Sequence, residues 1–240
     1  MSGEIIVSTE DSYAIVTISR PDKLNSVTKE MLESFNEKVQ SIANNPKIRA
    51  IIFTGEGEKS FSAGFDLEMV KGLEGQAAAD FFKLLERTMR LIRQNRTCIT
   101  IAAINGYAIG FGAMVALACD LRIFSENAFF RLPETDLAIF PGAGATSNLY
   151  HLVGPSRSKD IVMTSRKVSA EEAFKIGLAD RLVKQEEIME EAVELVKTLL
   201  EKDSKILIRT KTLVDAITGK DLDEADELET AYLDEWLREG

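Results

Sequence analysis

Apolar and polar residues recur along this chain at two periods, and the switches between them predict its elements. Tyr13-Ala14-Ile15-Val16-Thr17-Ile18 and the segment 4–8 read as strands, with Glu10-Asp11-Ser12 between them as the turn of a hairpin. Arg20-Pro21-Asp22 ends the second strand. Over 28–44, Met31, Leu32, Phe35, Val39 and Ile42 form one stripe at helical spacing. The strand Ala50-Ile51-Ile52-Phe53-Thr54 follows. Helical sequence over 77–95 leads to a strand at 99–104, a short helix at 113–119, and strands at 121–124 and 129–132. Strands alternating with helices imply an α/β fold with a largely parallel sheet and crossover helices.

After Pro141 the pattern turns mostly helical. Ser169 with Glu172 three residues on is a capping box, opening a helix that stops near Gly177. Over 186–202, Ile188, Ala192, Val193, Val196 and Leu199 share a face. The final segment, 221–239, is acidic with a sparse apolar stripe that includes Tyr232, Leu233 and Trp236. It reads equally as a solvated helix docked on the body or as an oligomer contact, where Trp and Tyr are enriched.

A chain of 240 residues, 45% hydrophobic and 28% charged, is long enough for one large core and ordinary for a globular protein. The net charge of −10 opposes a nucleic-acid-binding surface, though local lysines and backbone amides can still hold an anion. No apolar run reaches the roughly 20 residues that cross a bilayer. No basic segment followed by an apolar one marks a signal peptide, so a cytoplasmic location is expected. Cys98 and Cys119 sit in apolar context and read as buried, reduced thiols. The single histidine, His151, removes most of the usual catalytic inventory, and its helix-like context marks it as a packing or surface residue. Nothing has the spacing of a metal site.

Three loops carry the candidate chemistry. The first is Lys59-Ser60-Phe61-Ser62-Ala63-Gly64-Phe65-Asp66-Leu67, whose small residues let a ligand approach the backbone and whose Asp66 can cap a following helix. The second is the turn Gly110-Phe111-Gly112. Unpaired N–H groups at such a helix start suit an anion or a developing oxyanion. It is not a dinucleotide fingerprint, since Val115 occupies the third glycine position. The third loop runs from Pro133 to Gly144 and holds one carboxylate, Glu134, next to a proline. Asp136, two residues on, reads as structural.

Taken in order, these loops resemble the crotonase family, the enoyl-CoA hydratase/isomerase superfamily. The likeness includes Ile18-Ser19-Arg20-Pro21-Asp22-Lys23-Leu24-Asn25, Phe61-Ser62-Ala63-Gly64-Phe65-Asp66 and Ile104-Asn105-Gly106-Tyr107-Ala108-Ile109-Gly110. It continues through Ala118-Cys119-Asp120-Leu121-Arg122-Ile123, the Glu134 loop and Gly177-Leu178-Ala179-Asp180. It spans 13–183, and the helical tail fits more loosely.

The resemblance implies a spiral of strand-strand-helix units over 1–190, a helical trimerisation region over 191–240, and homotrimers that can pair into hexamers. It implies a coenzyme A thioester as substrate, with the coenzyme carried by the substrate and no separate cofactor. The backbone N–H groups of Phe65 and Phe111 would form the oxyanion hole. Lys23 and Leu24 match the nucleotide end of the coenzyme. Ala63, Gly64, Asp66, Leu67, Gly110 and Met114 fall where the substrate runs. Many relatives have glycine at Phe111, so the ring is expected to alter the acyl pocket.

One departure from the family bears on the reaction. Hydratases of this family use two glutamates to activate water; one matches Glu134 and the other matches Met114, which takes no proton. A lone base opposite two N–H donors suits a Δ3-Δ2 enoyl-CoA isomerase, and each such donor is worth on the order of 3 kcal/mol to a transition state. Leu132, Leu137, Ile139 and Met114 should raise the Glu134 pKa. The alternatives are a hydratase-like or other crotonase activity with a substitute acid, and a non-catalytic acyl-CoA-binding protein.

Overall fold

The computed structural model describes residues 3–239. The chain opens with the expected hairpin, β1 (Glu4–Glu10) and β2 (Tyr13–Ser19), paired antiparallel. Helix α1 (Lys29–Ala43) follows, with the Thr28 hydroxyl accepting from Met31 N–H as its cap and the whole Met31–Ile42 stripe buried.

Three turns of chain then repeat one plan. A strand of five or six residues, a tight corner, a three-residue strand and a helical segment follow in order. The turns are β3 (Ala50–Gly55), β4 (Ser60–Ser62), α2 (Leu67–Lys71) and α3 (Gly75–Arg93); then β5 (Ile99–Ile104), β6 (Tyr107–Ile109) and α4 (Phe111–Ala118); then β7 (Leu121–Ser125), β8 (Phe129–Arg131) and α5 (Ala145–Thr164). Asn105 ties the first two corners together: its amide donates to Gly55 O at 2.8 Å and its carbonyl accepts from Gly55 N–H at 3.2 Å. The remaining elements are β9 (Val168–Ser169), α6 (Ala170–Lys175), β10 (Arg181–Val183), α7 (Ile188–Leu200), α8 (Ser204–Ile217) and α9 (Leu222–Glu239).

The corners divide the strands between two sheets rather than the single sheet that the sequence suggests. One has the order β1-β2-β3-β5-β7-β10 and is parallel beyond the hairpin; the other has the order β4-β6-β8-β9. In β3 and β5 every residue is buried because both faces are covered. Ile51, Phe53, Ala102 and Ile104 face the main core, while Ala50, Ile52, Ile101 and Ala103 face α7 through Ile188, Ala192, Leu195 and Val196.

Position 190 therefore falls inside a helix that belongs to the core. Beyond it, α8 buries no residue and packs mainly on α9, whose Leu222, Leu233, Trp236 and Leu237 are exposed. Lys211 anchors α8 to the body through Asp120 Oδ2, 2.8 Å away. Cys98 and Cys119 are free, buried thiols, as expected, and burial pushes both up in pKa. His151 lies exposed on α5, edge-on to Tyr150. Among the described residues no helix is long and apolar enough to cross a membrane.

Candidate active site

β4, β6 and β8 lie side by side and parallel, with Ser60 opposite Tyr107 and Tyr107 opposite Phe129. Their carboxyl ends present three loops at one sheet edge: Ala63-Gly64-Phe65, Gly110-Phe111-Gly112 and Leu132-Pro133-Glu134. Ligands of α/β folds collect at such an edge.

The loops touch because their residues allow it. Gly110 has φ +51° and ψ −110°, a backbone shape that side chains with a Cβ rarely adopt. A Cβ there would lie 3.6 Å from Gly64 Cα and 3.8 Å from Glu134 Oε1, so this turn sits between the other two loops. Gly112 is needed for a different reason: a Cβ would meet Ser62 O at 2.6 Å, so α4 starts directly on β4. Ser62 is fully buried; its hydroxyl donates to Asn25 O at 2.8 Å and accepts from Gly64 N–H at 3.2 Å, fixing the backbone just before Phe65.

Phe111 is the first residue of α4. Its backbone N–H and that of Phe65 donate to no acceptor among the described residues, whereas the flanking Gly110 and Asp66 amides are both used. Two free N–H groups from abutting loops, one on a helix N-terminus, can hold a negative oxygen. Their side chains also meet, with ring centroids 5.1 Å apart, in a line of aromatic contacts that runs from Phe53 through Phe35, Phe111 and Phe65 to Phe81 and Phe82. The Phe111 ring is fully buried and edge-on to Phe35.

Glu134 is 6% exposed, and its Oε2 has no hydrogen-bond partner. Burial raises its pKa above the ordinary carboxylate range, against a smaller lowering from its own backbone N–H. The loop is pinned by its neighbours: Thr135 donates to Val162 O at 2.8 Å, Arg131 bonds Ser165 O at 2.7 Å, and Ile139 N–H donates to Glu134 O at 2.8 Å. A rigid, desolvated carboxyl of raised pKa suits proton transfer.

A cavity of about 540 Å³ opens between the loops. Of the residues singled out by sequence, Ala63, Gly64, Phe65, Leu67, Gly110, Phe111, Met114 and Glu134 line it together. Lys23, Leu24 and Asp66 do not. Lys23 is exposed in the short helical turn Pro21–Lys23, and Leu24 meets the site only through its carbonyl, which accepts from Ala63 N–H at 2.9 Å. Asp66 caps α2 as anticipated, accepting from the Glu68 and Met69 N–H groups. The Arg20 guanidinium beside it holds its carboxyl below the usual range.

The opposite wall comes from α3, which sequence reading left out: Phe81, Phe82, Leu85, Lys83 and Glu86. The signal was present in the apolar stripe of this helix, but a stripe marks burial without telling core from cavity. Glu86 is the second carboxylate on the wall; it is half exposed and its Oε1 is 2.7 Å from Arg90 Nη2.

The model of the enoyl-CoA hydratase/isomerase family matches residues 8–239. A crotonyl-CoA hydratase of Syntrophomonas wolfei subsp. wolfei is 35% identical over 94% of this chain and 86% of its own. The solved enoyl-CoA hydratase of Bacillus anthracis superposes with a TM-score of 0.90 at 31% identity, covering 96% of this chain and 90% of that one. A Thermobifida fusca homologue, solved in complex with acetoacetyl-CoA, superposes at 0.88 with 28% identity over 98% of this chain and 95% of that chain. The expected architecture, α/β with a helical C-terminal part, is that of these structures.

Proposed function

This chain belongs to the enoyl-CoA hydratase/isomerase family, and we propose that within it the protein moves a double bond, converting a 3-enoyl-CoA to the conjugated 2-enoyl-CoA. The observation that carries this reading is that Glu134, buried with its Oε2 unpartnered, shares the cavity lining with Met114, whose side chain carries no proton to transfer. The solved complex with acetoacetyl-CoA supports an acyl-CoA as the ligand of this cavity.

In this reaction the thioester oxygen accepts from the Phe65 and Phe111 N–H groups. The Glu134 carboxylate takes a proton from C2, and the electron pair of that C–H bond delocalises onto the carbonyl as a dienolate. The same carboxyl then returns the proton at C4, the C3–C4 double bond becomes C2–C3, and Glu134 is again ionised. A pKa above the carboxylate range suits a group that must both take and give the proton. The apolar face of α9 supports a homotrimer or hexamer, in which a second copy would cover it.

A second reading, hydration of a 2-enoyl-CoA, is supported by the hydratase names of the relatives. It needs a partner acid other than residue 114, and Glu86 is the carboxylate available on the wall. Separate incubations with 3-hexenoyl-CoA and 2-hexenoyl-CoA test the two readings. The isomerase accumulates 2-hexenoyl-CoA without consuming it; hydration of 2-hexenoyl-CoA at a comparable rate, lost in Glu86→Gln, replaces it with the second reading.

A further inference from the structure

The acyl cavity does not end at Glu86. A smaller polar compartment of about 240 Å³ shares Glu86 and Ala143 with it and continues between α3 and the start of α5, lined by Arg90, Arg93, Gly144, Ser147 and Asn148. Its floor is the buried Met89.

Three features of this compartment point to an anion. The first turn of α5 has Gly144 at its cap position and no side-chain cap, and the amide of Ser147, which lines the compartment, finds no acceptor among the described residues. This helix runs nine residues before its kink at Gly154, so its positive end is a real one. Asn148 is 6% exposed and lines the compartment, and its side-chain amide makes no hydrogen bond among the described residues, so its polar atoms are open to a ligand there. Arg90 is paired with Glu86 at 2.7 Å, while Arg93 is in no ion pair among the described residues, although its charge also acts on Asp215 of α8.

We propose that this compartment receives a carboxylate at the far end of the acyl chain, so that the preferred substrates are CoA monothioesters of dicarboxylic acids. The inference rests on the acyl-CoA reading above and adds the polar end of the substrate to it. The apolar walls take the methylene segment, and Arg93, Asn148 and the α5 amides take the terminal anion. Arg93 is exposed, so its pairing with the anion gives a moderate gain in affinity and much of the selectivity.

Calorimetric titration with non-reacting saturated ligands tests it without requiring turnover. Hexanoyl-, octanoyl- and decanoyl-CoA are each compared with the CoA monothioester of the dicarboxylic acid of equal length. At the length that spans the two compartments, the dicarboxylic ligand should bind about tenfold tighter, and Arg93→Gln should bring the ratio within twofold of unity. Binding of the plain acyl-CoAs with no gain at any length, or a gain that Arg93→Gln leaves intact, overturns the subsite while leaving the acyl-CoA reading standing. Failure of every acyl-CoA to bind overturns both.

Discussion

The six-stranded and four-stranded sheets each take three strands from the same three turns of chain, yet they differ in what holds them. β3 and β5 of the larger sheet bury all six of their residues, and their alternating side chains fill two separate cores. The smaller sheet has strands of two or three residues, and polar groups tie β4 to the preceding loop: Ser60 Oγ donates to Leu24 O, Ser62 Oγ to Asn25 O, and Asn25 Nδ2 to Ser60 O at 2.7 Å. The larger sheet is made by area removed from water, which tolerates no polar loop. The smaller ends each strand after two or three residues, so that the loops after β4, β6 and β8 reach the cavity while hydrogen bonds fix their positions. Stability and chemistry thus reside in different sheets, and substitutions should separate them.

The largest separation is expected at Glu134. Glu134→Gln should lower turnover by about a thousandfold or more, the scale of losing a group used only in the transition state, with the melting temperature unchanged or raised. Steady-state kinetics beside a thermal melt checks this. The converse is Ile101→Ala in the larger sheet, fully buried against α7. It should cost about 3 kcal/mol of stability in denaturant titration, while kcat at a temperature where the variant is folded stays near wild type. Equal loss of activity in both would break the comparison.

Gly110→Ala addresses the smaller sheet more gently. The positive φ and the approach to Gly64 and Glu134 oppose a Cβ, so the loop should shift, with kcat falling about ten- to a hundredfold, part of the value of one oxyanion donor. A kcat within twofold of wild type would remove Gly110 from the positioning of the Phe111 amide.

The smallest effect is on pH. Because burial raises the Glu134 pKa in the folded state, its contribution to stability is full below the unfolded carboxylate pKa and is lost as pH rises through the folded value. Across that window wild type should lose stability relative to Glu134→Gln, and kcat/KM should rise as the base ionises. Melts and rates on one pH series read both.

How far sequence reaches follows the same division. Apart from its three-residue edge strand β10, which sequence reading missed, the larger sheet and the helices covering it were legible because burial imposes a period: the Met31–Ile42 stripe, the Ala50 and Ile99 strands and the α7 face all fall within a few residues of expectation. β4, β6 and β9 were invisible, since two or three residues such as Ser60-Phe61-Ser62 carry no period. Helix α8 was missed because it buries no residue. At the site, Glu134, Phe65, Phe111 and Met114 came from ordered motifs and do meet at the cavity. The α3 wall, with Glu86 at its polar end, required the fold.

The central claim is that Glu134 works as a base at C2 of a thioester whose oxygen is held by two backbone amides. Hydrogen exchange at C2 of butanoyl-CoA in D2O, followed by mass spectrometry, isolates that step from both isomerisation and hydration. The account predicts exchange with wild type and none above background with Glu134→Gln, which still binds butanoyl-CoA. Undiminished exchange in Glu134→Gln, or no exchange by wild type with the ligand bound, would contradict it.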